Sequence, residues 1–160
     1  MKSCIRLQAL AALLLGSVAL HAADAPKYSL ASDNHILAQK LVNEILAANP
    51  GLVAAGMHCV PPGGEKQAII ASSLNVIGKP SDPEDILHGS TVIAPSAKAP
   101  KLGVMLPLHD RAGKELGSLA LQFKYQAGED QVKYFAEATA IRDHVALQIP
   151  ALVDLFVSVP

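Results

Sequence analysis

The strongest constraint on the fold is the stretch from Lys101 to Tyr125. Two long strand patterns, Lys101–His109 and Glu115–Tyr125, flank Asp110-Arg111-Ala112-Gly113. Gly113 suits the left-handed position that closes a short antiparallel hairpin. With Asp110 opposite Lys114, Leu108 falls opposite Leu116, Leu106 opposite Ser118, Val104 opposite Ala120 and Met105 opposite Leu119. Both faces of this hairpin are then largely apolar, which predicts that both are covered. One face narrows to Ser118, Ala120 and Gln122, where room for a ligand is easiest to leave.

A second hairpin precedes it. Leu52–Val60 and Ala68–Ser72 read as strands around Pro61-Pro62-Gly63-Gly64. Pro62 and Gly63 suit the two central positions of a type II turn. Upstream, Ser32 or Asp33 is placed to cap a helix running to Ala48. Leu37, Leu41, Ile45 and Ala48 form its apolar face, with Ile36 and Val42 beside it. Asn49-Pro50-Gly51 stops it. A last helix starts near Glu129, with Val132, Phe135, Ala138, Ile141, Val145 and Ile149 on one face. Glu129 and Lys133 are spaced to pair. Pro150 ends this helix, and the apolar tail Ala151–Val157 reads as a docked turn. Residues 74–100 are punctuated by Gly and Pro. Within them Asp82-Pro83 reads as a short helix start and Thr91–Ala94 as a short strand.

The N-terminus reads as an address. Lys2 and Arg6 precede an uncharged, mostly apolar run from Leu7 to Leu20, followed by Ala22 and Ala23. This three-part pattern is that of a bacterial secretory signal peptide, and the run is short for a membrane span. It divides the 160 residues into a signal over 1–22 with cleavage near Ala22, a leader over 23–32 and one domain over 33–158. The mature protein is then periplasmic or secreted. Of the thirteen basic and fourteen acidic residues, only Lys2 and Arg6 lie in the signal, so the mature chain carries net −3. That balance argues against nucleic-acid binding. Cys4 leaves with the signal, and Cys59 becomes the only thiol.

The chemical motifs that would mark an enzyme are missing. There is no C-x-x-C, H-E-x-x-H, G-x-S-x-G, P-loop or dinucleotide fingerprint. The histidines at 21, 35, 58, 88, 109 and 144 form no local metal pair. His58 and Cys59 are neighbours on a strand and point to opposite faces, so they make no dyad with each other. Cys59 reads as a buried thiol and His58 as a pocket residue. Asn75 and Lys79, with Asp82 and Asp85, form a polar cluster able to close over a ligand or to start a short helix. Met105 reads as core, and His109 and Arg111 as solvent-facing.

The run from Gly103 to Leu121, GVMLPLHDRAGKELGSLAL, resembles the paired strands around an Asp-x-x-Gly-Lys turn in PAS-like extracytoplasmic sensor domains of the Cache type. Ile77-Gly78-Lys79, followed by Asp82 and Asp85, resembles the segment entering the ligand-side helix of such domains. The stretches from Gly56 to Gly63 and from Ala140 to His144 look like those of small exported proteins of this type. The resemblance implies an α+β fold. About five antiparallel strands, flanked by an N-terminal and a C-terminal helix, would hold a small molecule against the insert. No cofactor and no metal are expected. Cache sensors usually sit between two membrane helices, whereas here the helix after Tyr125 carries Arg142, Asp143 and His144. A free-standing, non-enzymatic binding protein that works with a separate membrane receptor follows, with His58, Asn75, Lys79, Ser118 and Gln122 as ligand-binding residues. The alternatives are a thiol, haem or metal redox protein using Cys59 or His58, and an interaction module whose last helix and tail form a homodimer surface.

Overall fold

The computed structural model describes residues 35–81 and 90–160. The signal over 1–22, the leader over 23–32 and the short helix expected from Asp82 lie outside the described residues. Helix α1 spans Leu37–Ala48, strand β1 Leu52–Cys59, β2 Ala68–Ser72, β3 Val92–Pro95, β4 Lys101–His109, β5 Glu115–Lys124 and helix α2 Gln131–Ala146. A 3-10 turn over Leu152–Phe156 follows. The strands form one antiparallel sheet in the order β2-β1-β5-β4-β3. This is the α+β arrangement that the resemblance implies, five antiparallel strands with an N-terminal and a C-terminal helix.

Both hairpin turns form by the expected chemistry. The Pro61 carbonyl accepts the Gly64 N–H at 2.8 Å, with Gly63 at φ +74°, as a type II turn requires. In the second loop Gly113 sits at φ +83° and its N–H reaches the Asp110 carbonyl at 2.9 Å. The buried Asp110 carboxylate adds two bonds of 2.9 Å, accepting from the Ala112 and Lys114 N–H groups.

The register of β4 on β5 differs from the expected one by a residue. His109 pairs Glu115, but Leu108 pairs Gly117, Leu106 pairs Leu119 and Val104 pairs Leu121. Leu116 is the extra residue of a bulge, and Gly117 beside it takes φ +152°. The bulge sorts the side chains cleanly. Leu102, Val104 and Leu106 share a face with Leu119, Leu121 and Phe123, and all six are buried. Ser118, Ala120 and Gln122 go to the other face with Gly103, Met105 and Pro107.

Both described helices pack on the first face, which corrects the expectation of helices on both sides. The Tyr134 ring of α2 lies 5.3 Å from that of Phe123. Ala38, Leu41, Val42 and Ile45 of α1 join the same cluster, with Ala55, Met57 and Cys59 of β1. The helix faces are rotated from the expected ones. In α1, Ala38 is buried, Leu37 half-buried and Ala48 exposed. The reason lies at its start. Ile36 is extended and bridges Ser158, while the Leu37 N–H donates to the Val157 carbonyl. The helix therefore begins at Leu37 with Ile36 at its N-cap position, and Ser32 and Asp33, the expected caps, lie outside the described residues. In α2, Asp130 is the cap, its carboxylate accepting from the Val132 N–H. Tyr134 takes the buried place expected for Val132 and Phe135, and Val132 is 69 % exposed. The Tyr134 hydroxyl donates to Glu129 at 2.5 Å, which lets a polar-tipped ring enter the core. Glu129 also meets Lys133 at 3.4 Å. The tail docks as expected, burying Leu155 and Phe156. Among the described residues no helix is long and apolar enough to cross a membrane.

Candidate functional site

The face of the sheet away from α1 and α2 carries the candidate site. Strand pairing arranges its side chains in rows that run across the strands. In the first row Ile69, His58, Ser118 and Pro107 stand side by side. The second holds Ser72, Gly56, Ala120, Met105 and Val92. In the third, Ala54, Gln122, Gly103 and Ala94 follow. Five of these positions, at 54, 56, 94, 103 and 120, carry no more than a methyl group, so the face is hollow at its centre.

Three of the five sequence-selected residues share this face. His58 and Ser118 are direct cross-strand partners, and Gln122 follows two positions after Ala120. His58 Nδ1 shares a 2.8 Å hydrogen bond with the buried hydroxyl of Ser81, which ties the segment after β2 back onto the sheet. Ser118 is 2 % exposed, and its hydroxyl has no hydrogen-bond partner among the described residues. A buried hydroxyl left unpaired costs about 1–3 kcal/mol, so its presence here asks for a partner. Asn75 and Lys79 stand on the 73–81 segment and are exposed. From that segment Leu74 and Val76, rather than these two, line the hollow beside His58.

The hollow has two parts. One, of about 220 Å³, lies over Ala54, Gly56 and Ala120 and is bounded by His58, Met105, Gln122, Leu74 and Val76. The other, of about 270 Å³, lies over Gly103 and Ala94 and is bounded by Val92, Met105 and Gln122. Among the described residues no Lys, Arg, Asp or Glu lines either part. Met105, expected in the core, is half-buried on this open face because the bulge places odd-numbered β4 residues there. The signal that could have found the site is the alternation of small residues, Ala54 with Gly56 on β1 and Ser118 with Ala120 on β5, around Gly103 on β4.

A larger cleft of about 400 Å³ lies elsewhere, between α1 and α2. Leu41, Ile45, Ile141 and Val145 floor it, with Glu44, Glu137 and His144 at its rim. It is a seam between two helices that pack on the sheet, away from the face that carries His58, Ser118 and Gln122. We therefore place the candidate site on the sheet face that neither described helix covers, the open face of the described residues.

Cys59 sits on the helix-covered face, opposite in sense to His58, and is fully buried. Burial pushes its thiol up to about 12. A nucleophilic thiol needs the opposite shift and access to solvent, so this cysteine is a packing residue. Among the described residues no three His, Cys, Asp or Glu side chains converge on a position that could hold a metal ion.

No family model and no curated protein matches this chain. Among solved structures it is similar to a type II free methionine-R-sulfoxide reductase from Thermoplasma acidophilum, at 16 % identity over 74 % of this chain and 92 % of that one, with a TM-score of 0.48. It is also similar to the GAF domain of a two-component sensor histidine kinase from Bacillus halodurans, at 16 % identity over 76 % of this chain and 95 % of that one, with a TM-score of 0.49.

Proposed function

We propose that this protein binds a small molecule on the open face of its sheet and acts as an exported, sensor-like binding protein of the Cache type. His58, Ser118 and Gln122 contact the ligand, and Asn75 and Lys79 stand on the segment that borders it. The observation that carries the reading is the hollow floored by Ala54, Gly56 and Ala120 and bordered by His58 and Gln122, with the buried, unpaired Ser118 hydroxyl in the adjoining row beside His58. Concave, mostly apolar sites with a few convergent polar groups are the usual form of small-molecule pockets. The signal pattern of residues 1–22 supports export to the periplasm. Arg142, Asp143 and His144 in α2 support a chain that stays outside the bilayer and passes its signal to a separate membrane receptor.

Thermal-shift screening of small acids, amines and nucleobases tests the reading. A ligand at a hundred times its Kd stabilises by about 2.7 kcal/mol, which is roughly 10 °C for a domain of this size. The same compound should not move Ala120→Leu, whose side chain fills the floor. Ser118→Ala should leave the free protein as stable as the native one or more so, and should weaken the ligand's effect. The reading fails if every stabilising compound acts equally on Ala120→Leu.

A further inference from the structure

The two hollows are one site with two seats, and their geometry selects the shape of the occupant. They share Met105, Ala120 and Gln122. Met105 stands on β4 in the second cross-strand row and Gln122 on β5 in the third, so the two side chains are diagonal neighbours. Together they form a low ridge between a seat over Ala54 and Gly56 and a seat over Gly103 and Ala94. With strands about 4.8 Å apart, β1 and β4 are roughly 10 Å apart across β5. Each seat alone, at about 220 and 270 Å³, is smaller than the roughly 300–1,000 Å³ of typical ligand pockets. Joined, they fall within that range.

The chemistry of the two seats also agrees. Floors of glycine and alanine present a flat backbone surface, on which a planar ring makes more contact than a branched chain. Met105 offers a thioether to a ring edge. Gln122, which lines both seats, offers a donor and an acceptor at the ridge, and no hydrogen bond occupies its side chain among the described residues. Among the described residues no Lys, Arg, Asp or Glu lines either seat, and the one ionisable side chain that does, His58, is already held by the Ser81 hydroxyl at 2.8 Å.

Resting on the binding reading above, we infer that the ligand is an uncharged molecule with two flat rings. One ring fills each seat, and a short polar linker crosses the ridge at Gln122. The linker's carbonyl or amide meets the Gln122 amide, and the rings lie on the Gly56 and Gly103 floors.

The test uses the native protein, labelled with ¹⁵N, and three probes. N-(2-phenylethyl)benzamide has two rings on an amide linker, benzamide has one ring, and benzoate has one ring and a charge. The two-ring probe should shift the backbone amides of both Gly56 and Gly103 and bind at least tenfold more tightly than benzamide. Benzoate should bind more weakly than benzamide. Gly103→Leu closes the second seat. A Cβ at position 103 makes only ordinary contact, 3.6 Å from the Ala94 carbonyl oxygen, so the variant should fold. It should bring the two-ring probe down to the affinity of benzamide and leave benzamide unchanged. If the open-face amides shift but the second ring adds no affinity, or Gly103→Leu has no effect, the two-seat inference is wrong while the binding reading stands. Benzoate binding as tightly as benzamide would overturn the uncharged assignment in the same way. If no probe shifts the amides of Gly56 or Gly103, the open-face reading itself falls.

Discussion

Gly117→Ala should be among the most damaging single-methyl changes available in this protein. Gly117 is the hinge of the β5 bulge, at φ +152°, a region that residues with a side chain rarely enter. A Cβ there would overlap the His58 carbonyl oxygen and lie 2.9 Å from Cys59 Cα, both on the neighbouring strand β1. The backbone strain costs about 1–3 kcal/mol. Relieving the overlap pushes β5 from β1 and sacrifices one or two ladder hydrogen bonds, each worth about 1 kcal/mol. The expected loss is about 3–5 kcal/mol, a large share of the roughly 5–15 kcal/mol that stabilises an ordinary domain. In urea, with a slope of about 1–3 kcal/mol per molar, the midpoint should fall by about 2 M at unchanged slope. Two other glycines separate the causes. Gly113→Ala keeps the positive φ, +83°, but has open space around it, so it should cost only about 1–2 kcal/mol. Gly103→Ala has neither problem and should stay within about 0.5–1 kcal/mol of the native protein. A Gly117→Ala midpoint no lower than that of Gly113→Ala would refute the claim that the bulge is wedged against β1.

Three further outcomes follow from the packing. The Cys59 thiol, raised to about 12 when folded against 9.0 when free, should resist iodoacetamide at pH 8 until the protein unfolds. Its contribution is complete below pH 9. Above it the unfolded thiol ionises and the folded one does not, so stability should fall by up to about 1.4 kcal/mol per pH unit until about 12. Cys59→Ala should remove that slope in urea titrations between pH 8 and 11. Phe123→Ala, at a fully buried ring packed on Tyr134, should lose about 3–5 kcal/mol in the same assay. Asp110→Ala removes the acceptor of two loop N–H groups and should cost about 1–3 kcal/mol, whereas Asp110→Asn should recover most of it.

What the sequence reveals depends on how far apart the deciding residues are. Both hairpin turns are local chemistry, Pro62-Gly63 and Asp110 to Gly113, and both were legible along with their strands. The one-residue register error between β4 and β5 has a nonlocal cause. The bulge at Leu116 depends on Gly117 meeting β1, more than fifty residues earlier, and no local pattern announces it. The helix faces were misread for related reasons. The start of α1 is held by the C-terminal tail through Ile36 and Ser158. Tyr134 displaced Val132 from the core because Glu129 could satisfy its hydroxyl. At the site, His58, Ser118 and Gln122 were legible because strand alternation puts them on one face whichever way β4 is registered. Met105, Leu74 and Val76 were not, since the first depends on the bulge and the others on how the segment after β2 returns over the sheet.

The most direct test of the central claim is a crystal structure of the protein purified from its own source cells with no ligand added. The account predicts ordered non-protein density over Ala54, Gly56 and Ala120, within hydrogen-bond distance of Gln122 or Ser118. Density seated between α1 and α2 instead, with the open face filled by the protein's own side chains, would contradict it.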